Sequence, residues 1–444
     1  MAIHPIEYRY GTPEMKRVWT EKAKLQKLIE VEVALARAEA DVGLIPKEDA
    51  KTIAANINKV KVRRVKKIED EIGHDLMAVV LALAEQCGDA GEWIHFGATS
   101  NDILDTALAL QLRDGIDILE RRLKGLRDAL LDQAVEHKHT VCASRTHGQI
   151  GVPTTYGLRF AIWASEVGRH LQRLEQLKPR ILVGQMSGAV GTGAAFGPSA
   201  TEIKERTMQY LGLDAVDVSN QLIQRDRHAE LVMFLANVAT TLDKIGVALR
   251  NLQRSEIAEL EESFAPKQIG SSTMPHKRNP IKAEQVCGLA RIIRAQVEPA
   301  LLNNTLWDER DLTNSSCERV VFPEVMILTD HTIKTMTDII QNLQFHPENI
   351  RKNLALLKGI NMSEAVMIEL AKQIGRQQAH GLIRKCAMNA RKTGKHMKDV
   401  LLEDEGVSKH LAQDEIERLM SPDNYIGTAV EQVEQVVKKL RDKT

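Results

Sequence analysis

The sequence predicts an all-α protein with a small helical region at each end and a central bundle of long helices between them. Three observations predict it. Aromatic residues are only 4% of a 444-residue chain that is 43% hydrophobic, so aliphatic side chains and alanine must fill the core, which suits helix packing. Leu112, Ile116, Leu119, Leu123, Leu126 and Leu130 recur at steps of four and three, the apolar seam of a long bundle helix. No convincing run alternates apolar and polar side chains as half-buried strands do.

The elements follow in order. Residues 15–42 start after Pro13 and run to Gly43 and Pro46, a helix with a glycine stop. The stretch GEWIHFGATSND, residues 91–102, marks a boundary before the seam helix at 105–137. Asn101 or Ser100 is a candidate cap for that helix, whose free first-turn amides would suit an anion. Residues 155–179 and 226–262 read as further long helices. Between them GQMSGAVGTGAAFGPS, residues 184–199, is a loop or a place of close backbone approach. It is not a nucleotide-binding turn, because no predicted strand precedes it. A second boundary falls at FHPENI, residues 345–350, before shorter helices rich in Lys and Glu. The expected division is 1–98, 99–341 and 342–444, with no fixed-period repeat.

Charge and composition exclude several classes. Lys plus Arg and Asp plus Glu are both 60, a net charge of zero, which points neither to nucleic acid nor to an anionic membrane. The run KVKVRRVKK, residues 59–67, reads as a solvated surface segment. The apolar run AVVLALA is far short of a membrane span, and MAIHPIEYRYGTPEM lacks an apolar signal core. Cysteines 87, 142, 287, 317 and 386 form no CxxC pair, so reduced thiols in a cytoplasmic protein are expected. No metal is expected, since His74 and Asp75 are followed by no HExxH or paired Cys/His spacing. No GK[ST] and no GxSxG occurs.

Polar chemistry concentrates in a few segments. GSSTMPHKRNP, residues 270–280, packs two serines, a histidine, a lysine, an arginine and an asparagine into a loop restricted by Pro275 and Pro280. Gly270 permits an unusual turn, and Asn279-Pro280 reads as a helix cap followed by a first-turn proline. Lys277 and Arg278 would sit at the positive end of that helix, two sources able to stabilise negative charge that develops during reaction. SRTHGQ, residues 144–149, offers His147 as an acid or base, or as a structural histidine at a helix terminus. WDERDLTNSSCER, residues 307–319, offers arginine forks and hydroxyls that fit phosphate or carboxylate, or a salt-bridged connection.

GSSTMPHKRNP resembles the signature loop of the fumarase/aspartase superfamily, whose members eliminate fumarate or a close relative from succinyl-type substrates. Within it RYGTPEM (9–15), HDLMA (74–78), FGATSNDILDTA (96–107), RTHGQ (145–149), QRDRHAE (224–230) and ERDLTNSSCER (309–319) resemble blocks of the adenylosuccinate lyase family, nearly end to end. The PHKRNP ending also occurs in carboxymuconate cycloisomerases, which stay open as an alternative, as does a non-enzymatic crystallin-like member. Two positions depart from the family: Gly73 stands where an arginine often precedes the His-Asp pair, and Gln285 where some members have a basic substrate ligand.

The resemblance implies an anti β-elimination of fumarate with Ser271 as base and His147 as acid. It implies that Lys277 and Asn279 hold the aci-carboxylate, and that Glu284 pairs with a histidine, His74 or a neighbour. Arg9 and Tyr10 would contact the nucleotide end, Asp75 would line the site with His74, and His95, Thr99 and Ser100 would flank the succinyl group. Gln221 would contact substrate, and Arg310, Ser315 and Arg319 would hold the phosphate or the part of the nucleotide beside it. It implies no metal or organic cofactor, and a homotetramer whose sites draw on three chains. The seam at Leu112–Leu130 is expected to serve that shared bundle.

Overall fold

The computed structural model describes residues 3–264, 267 and 270–442. It is 69% helical, as the sequence predicts. The chain divides into two compact units, each of non-contiguous stretches: Met1–Leu123, His170–Leu242 and Gly288–Lys334 form one, and Lys124–Arg169, Asp243–Cys287 and Thr335–Thr444 the other. The longest helices are Ser100–Glu136, Tyr156–Ile181, Asp226–Leu252 and Thr313–Gln341. Every seam residue from Leu112 to Leu130 is at most 1% exposed within the single chain. The seam is therefore satisfied by the chain itself and does not call for partner subunits.

In the first unit the helix expected at 15–42 is two, Pro13–Val18 and Glu21–Asp41. The break has a local cause: Thr20 leaves helical geometry, and its hydroxyl accepts from the Ala23 amide at 3.2 Å, capping the second helix. The seam helix begins at Ser100, and neither Ser100 nor Asn101 caps it. Asp102 in its first turn reaches back to accept from the Thr99 amide at 2.9 Å. The glycine-rich stretch at 184–199 is a close-approach loop: a side chain at Gly191 would lie 2.1 Å from the Ser219 carbonyl oxygen. In the basic run, Lys66 pairs with Glu21 at 2.5 Å and Arg64 with Glu85.

The second unit carries the feature absent from the sequence reading. Val141–Thr146 and Gln149–Thr155 pair as an antiparallel hairpin with a bulge between Ala143 and Arg145. His147 and Gly148 form its two-residue turn, both with positive φ (53° and 75°), as a type I′ turn requires. His147 is therefore a hairpin tip and not a helix terminus. The helix expected to reach 262 stops at Leu252, and Leu260–Glu261 pairs with Gln344–Phe345. The C-terminal helices close on a core of Met362, Val366, Leu370, Ile383, Leu401 and Ile416.

Asp226–Leu252 is long and apolar enough to cross a bilayer by length and composition, yet 61% of its most apolar window is buried, as in a core helix. Among the described residues the five cysteines are free thiols and no group of acidic, His and Cys side chains is placed to hold a metal. Burial pushes the Cys142 thiol up to about 11.

Candidate active site

The predicted site residues are divided between the two units, and each set is described in turn. In the second unit the loop at 270–280 is drawn closed at its base. The Asn279 side-chain amide donates to the Gly270 carbonyl at 3.0 Å. A Cβ on Gly270 would lie 2.1 Å from the Lys277 carbonyl oxygen, so this glycine answers to close backbone approach and not to an unusual turn. Asn279 makes no side-chain capping bond to the following helix, Ile281–Ala295, among the described residues. The buried Glu262 does: its carboxylate accepts from the Ala283 and Lys282 amides at 2.6 and 3.2 Å. Burial raises the Glu262 pKa, with those two amides opposing.

Inside the loop, Ser271 Oγ accepts from the Met274 amide at 3.0 Å and from the Thr273 amide at 3.3 Å. Two backbone donors on one hydroxyl oxygen favour negative charge there. Of the two expected cations only Lys277 is uncommitted among the described residues. Arg278 pairs with Glu261 at 2.7 Å and lies over the Phe264 ring. Lys277, Asn279, His276 and Glu284 line a cavity of about 660 Å³ with Arg250 and Arg254.

His147 is solvent-exposed on its hairpin, and the hairpin base is pinned by the fully buried Glu259. Glu259 accepts from Arg145 at 2.7 Å, from the Tyr156 hydroxyl and from Asn353 at 3.0 Å. Burial and the Glu259 charge drive the Tyr156 phenol pKa far up, so it stays a donor. The turn thus presents His147 from a rigid base.

In the first unit a cavity of about 410 Å³ is lined by Arg310, Ser315 and Arg319 together with Lys24, Arg225 and Asn314. Arg225 is buried and forked onto two carboxylates, Asp105 at 2.7 and 2.8 Å and Glu318 at 2.8 and 3.1 Å. Arg310 donates to the Gln221 side chain at 2.9 Å, while its buried Nε has no partner among the described residues. Burial lowers the Arg310 pKa. Lys24 makes no ion pair among the described residues, and burial, then the Arg319 charge, lowers its pKa. With Asp105 and Glu318 engaged by Arg225 and Asp75 by Arg319, Lys24 and Arg310 are left in this cavity without an ion-pair partner among the described residues.

A smaller cavity of about 210 Å³ shares Lys24 and Arg319 and adds Asp75, which Arg319 binds at 2.6 Å. His74 caps the Asp75–Ala84 helix, its Nδ1 accepting from the Met77 amide at 3.3 Å. Gly73 ends the preceding helix with φ +68°, a conformation an arginine would hold only under strain. Lys24 lines the same cavity as Asp75 and Arg319, and both charges act on it.

Other predicted residues stand outside these cavities. Arg9 lies over the Tyr10 ring, which packs 5.5 Å from the His331 ring. Gln221 is tied to the glycine-rich loop by donation to the Ala189 carbonyl at 2.7 Å. Thr99 and Ser100 start the seam helix, and His95 pairs with the buried Glu32 at 2.8 Å. Sequence reasoning missed Lys24, Glu32, Asp102, Arg225, Glu259 and Glu262. Only Asp102 left a visible local signal, the Thr-x-x-Asp spacing from Thr99.

Residues 7–295 match a family model described as lyase, and residues 359–436 match one described as adenylosuccinate lyase C-terminus. The adenylosuccinate lyase of Methanocaldococcus jannaschii is 55% identical over 100% of this chain and 97% of its own, and that of Pyrococcus horikoshii 55% over 100% and 99%. The solved 3-carboxy-cis,cis-muconate lactonizing enzyme of Pseudomonas putida superposes with a TM-score of 0.91 at 33% identity, covering 99% of each chain. The chain belongs to the adenylosuccinate lyases of the fumarase/aspartase superfamily.

Proposed function

We propose that the protein cleaves adenylosuccinate to AMP and fumarate, and succinylaminoimidazole carboxamide ribotide to aminoimidazole carboxamide ribotide and fumarate, in the cytoplasmic synthesis of purines. What carries this is full-length likeness to an adenylosuccinate lyase at 55% identity, in a chain where Ser271, His147, Lys277 and Asn279 are all present. Ser271 Oγ removes a proton from the succinyl carbon next to a carboxylate. The electron pair moves into that carboxylate as an aci-dianion beside Lys277 and Asn279. The carbon–nitrogen bond then breaks, His147 protonates the departing nitrogen, and fumarate leaves. A serine hydroxyl is a weak base, and the Thr273 and Met274 amides on Ser271 Oγ supply stabilisation for its alkoxide. They are better placed than the first turn after Asn279, whose amides Glu262 already engages.

The remaining roles follow the same division. Arg310, Ser315 and Arg319 hold the phosphate end, with Gln221 setting Arg310. Arg9 and Tyr10 contact the nucleotide, and Asp75, His95, Thr99 and Ser100 flank the succinyl group. Glu284 orients a site histidine, His74. The active unit is a homotetramer whose sites each draw on three chains, and no metal or organic cofactor enters. The three-region division at 98/99 and 341/342 is kept as the organisation of the chain.

Adenylosuccinate is expected to lose its ultraviolet difference absorbance on incubation with the protein, with stoichiometric fumarate release. An intact tetramer that leaves adenylosuccinate unchanged but converts 3-carboxymuconate would replace this function with the cycloisomerase one. Within the proposed site, Lys24→Gln is expected to raise KM about tenfold or more, the scale of one lost charged hydrogen bond, with kcat within about twofold. Lys24→Arg is expected to restore most of it, and steady-state kinetics of the three enzymes checks both.

A further inference from the structure

We propose that Glu32 is a positioning residue for His95, a buried carboxylate that accepts a hydrogen bond from the ring's Nδ1–H and leaves Nε2 as the nitrogen presented to substrate. This rests on the assignment of His95 to the succinyl end of the site. Glu32 Oε1 lies 2.8 Å from His95 Nδ1, with the Glu32 side chain fully buried and the His95 side chain 13% exposed. A carboxylate can only accept, so Nδ1 must carry the proton whether the ring is neutral or cationic. Among the described residues no protein group engages Nε2. His95 itself holds φ +65°, a conformation uncommon outside glycine that persists when surrounding contacts enforce it.

Those contacts exist on both sides. Asp102 accepts from the Thr99, Ser187 and Gly188 amides, each at 2.9 Å, and so fixes the segment after His95 to the glycine-rich loop. Glu32 fixes the ring from the Glu21–Asp41 helix. The charged groups facing His95 are thus Glu32 and Asp102. Burial alone would lower the His95 pKa, but the charge and hydrogen bond of Glu32, then the charge of Asp102, raise it overall.

Glu39, two turns further along the same helix, is fully buried with both oxygens unpartnered among the described residues. Burial first, and the Glu32 charge second, push its pKa up to about 9, so it is neutral at pH 7. One helix therefore buries two carboxyls: Glu39 has no partner among the described residues, and Glu32 lies against the imidazole. The sign is that of a histidine with a raised folded pKa: its positive charge persists above the ordinary range near 6.5 and is lost as pH rises further. Substrate carboxylate held by that cation should bind more weakly beyond that point.

The test is Glu32→Gln in the full-length enzyme, with Glu32→Asp as the conservative variant. The His95 ring signal, identified by its disappearance in His95→Gln, is followed by carbon–proton NMR through a pH titration. Glu32→Gln is expected to lower the His95 midpoint by about one pH unit or more and Glu32→Asp to restore much of it. KM of Glu32→Gln is expected to rise more at pH 8 than at pH 6, with kcat changed less. An unshifted His95 midpoint in Glu32→Gln overturns the pairing. Should that variant not fold, a wild-type His95 midpoint below 6.5 overturns it equally. Unchanged kcat/KM in His95→Gln overturns instead the placement of His95 at the substrate, leaving the titration result to stand by itself.

Discussion

Ser271→Ala is expected to lower kcat by about a thousandfold, within the 10²–10⁴ range for loss of a positioned acid or base, while KM stays within a few-fold. The reason lies in what surrounds the hydroxyl. Ser271 Oγ accepts from two backbone amides at 3.0 and 3.3 Å, donors that gain most when the oxygen carries charge. The neighbouring Ser272 lacks that support: its Oγ faces Thr273 Oγ1 at 3.5 Å and accepts from no backbone amide among the described residues. Alanine removes the base but leaves the Asn279–Gly270 bridge that closes the loop, so substrate should still bind. Stopped-flow and steady-state turnover of adenylosuccinate measure the loss, and equilibrium binding of AMP checks that the site survives. A kcat within tenfold of the parent enzyme would move the base role to another group.

The parts of this molecule that were legible in sequence are those written locally. The seam from Leu112 to Leu130 states its period within one helix, and the structure buries every member. The eleven-residue loop carries its chemistry in one stretch, so Ser271, Lys277 and Asn279 could be named together. Position within the loop was less legible. Asn279-Pro280 has the local form of a cap, yet Glu262, about twenty residues earlier, wins the helix amides because it is buried and fixed beside them. The hairpin was hidden for another reason. VCASRT and QIGVPTT lack clean alternation, one contains Pro153, and the turn uses His-Gly where Asn-Gly would have announced itself. Buried charges were least legible of all. A Glu at position 32 in an apolar helix reads as a surface residue until His95, 63 positions on, is seen to face it.

Arg225 has the same long-range character. Its guanidinium bridges Asp105, 120 positions away, and Glu318, 93 away, with Asn314 also donating to Glu318 at 3.1 Å. Arg225→Met is expected to destabilise the protein by about 3–5 kcal/mol at pH 7, because it leaves two carboxylates buried without a counter-charge. The pH dependence separates this from simple loss of packing. Arg225 offsets the burial that would raise Asp105 and holds its pKa below the ordinary value, so that contribution is present above about pH 4 and lost as pH falls below it. Glu318 remains raised even with Arg225 beside it. Without Arg225 both carboxyls are expected to take up protons, and the deficit of the variant should shrink as pH falls toward 5. Adding Asp105→Asn and Glu318→Gln removes the stranded charges and is expected to recover much of the loss, since a neutral replacement of a buried triad is often near neutral in stability. Denaturant or thermal unfolding of the single and triple variants at pH 5 and pH 8 checks the order. A deficit equal at both pH values would show that Arg225 acts through packing and not through the charges it holds.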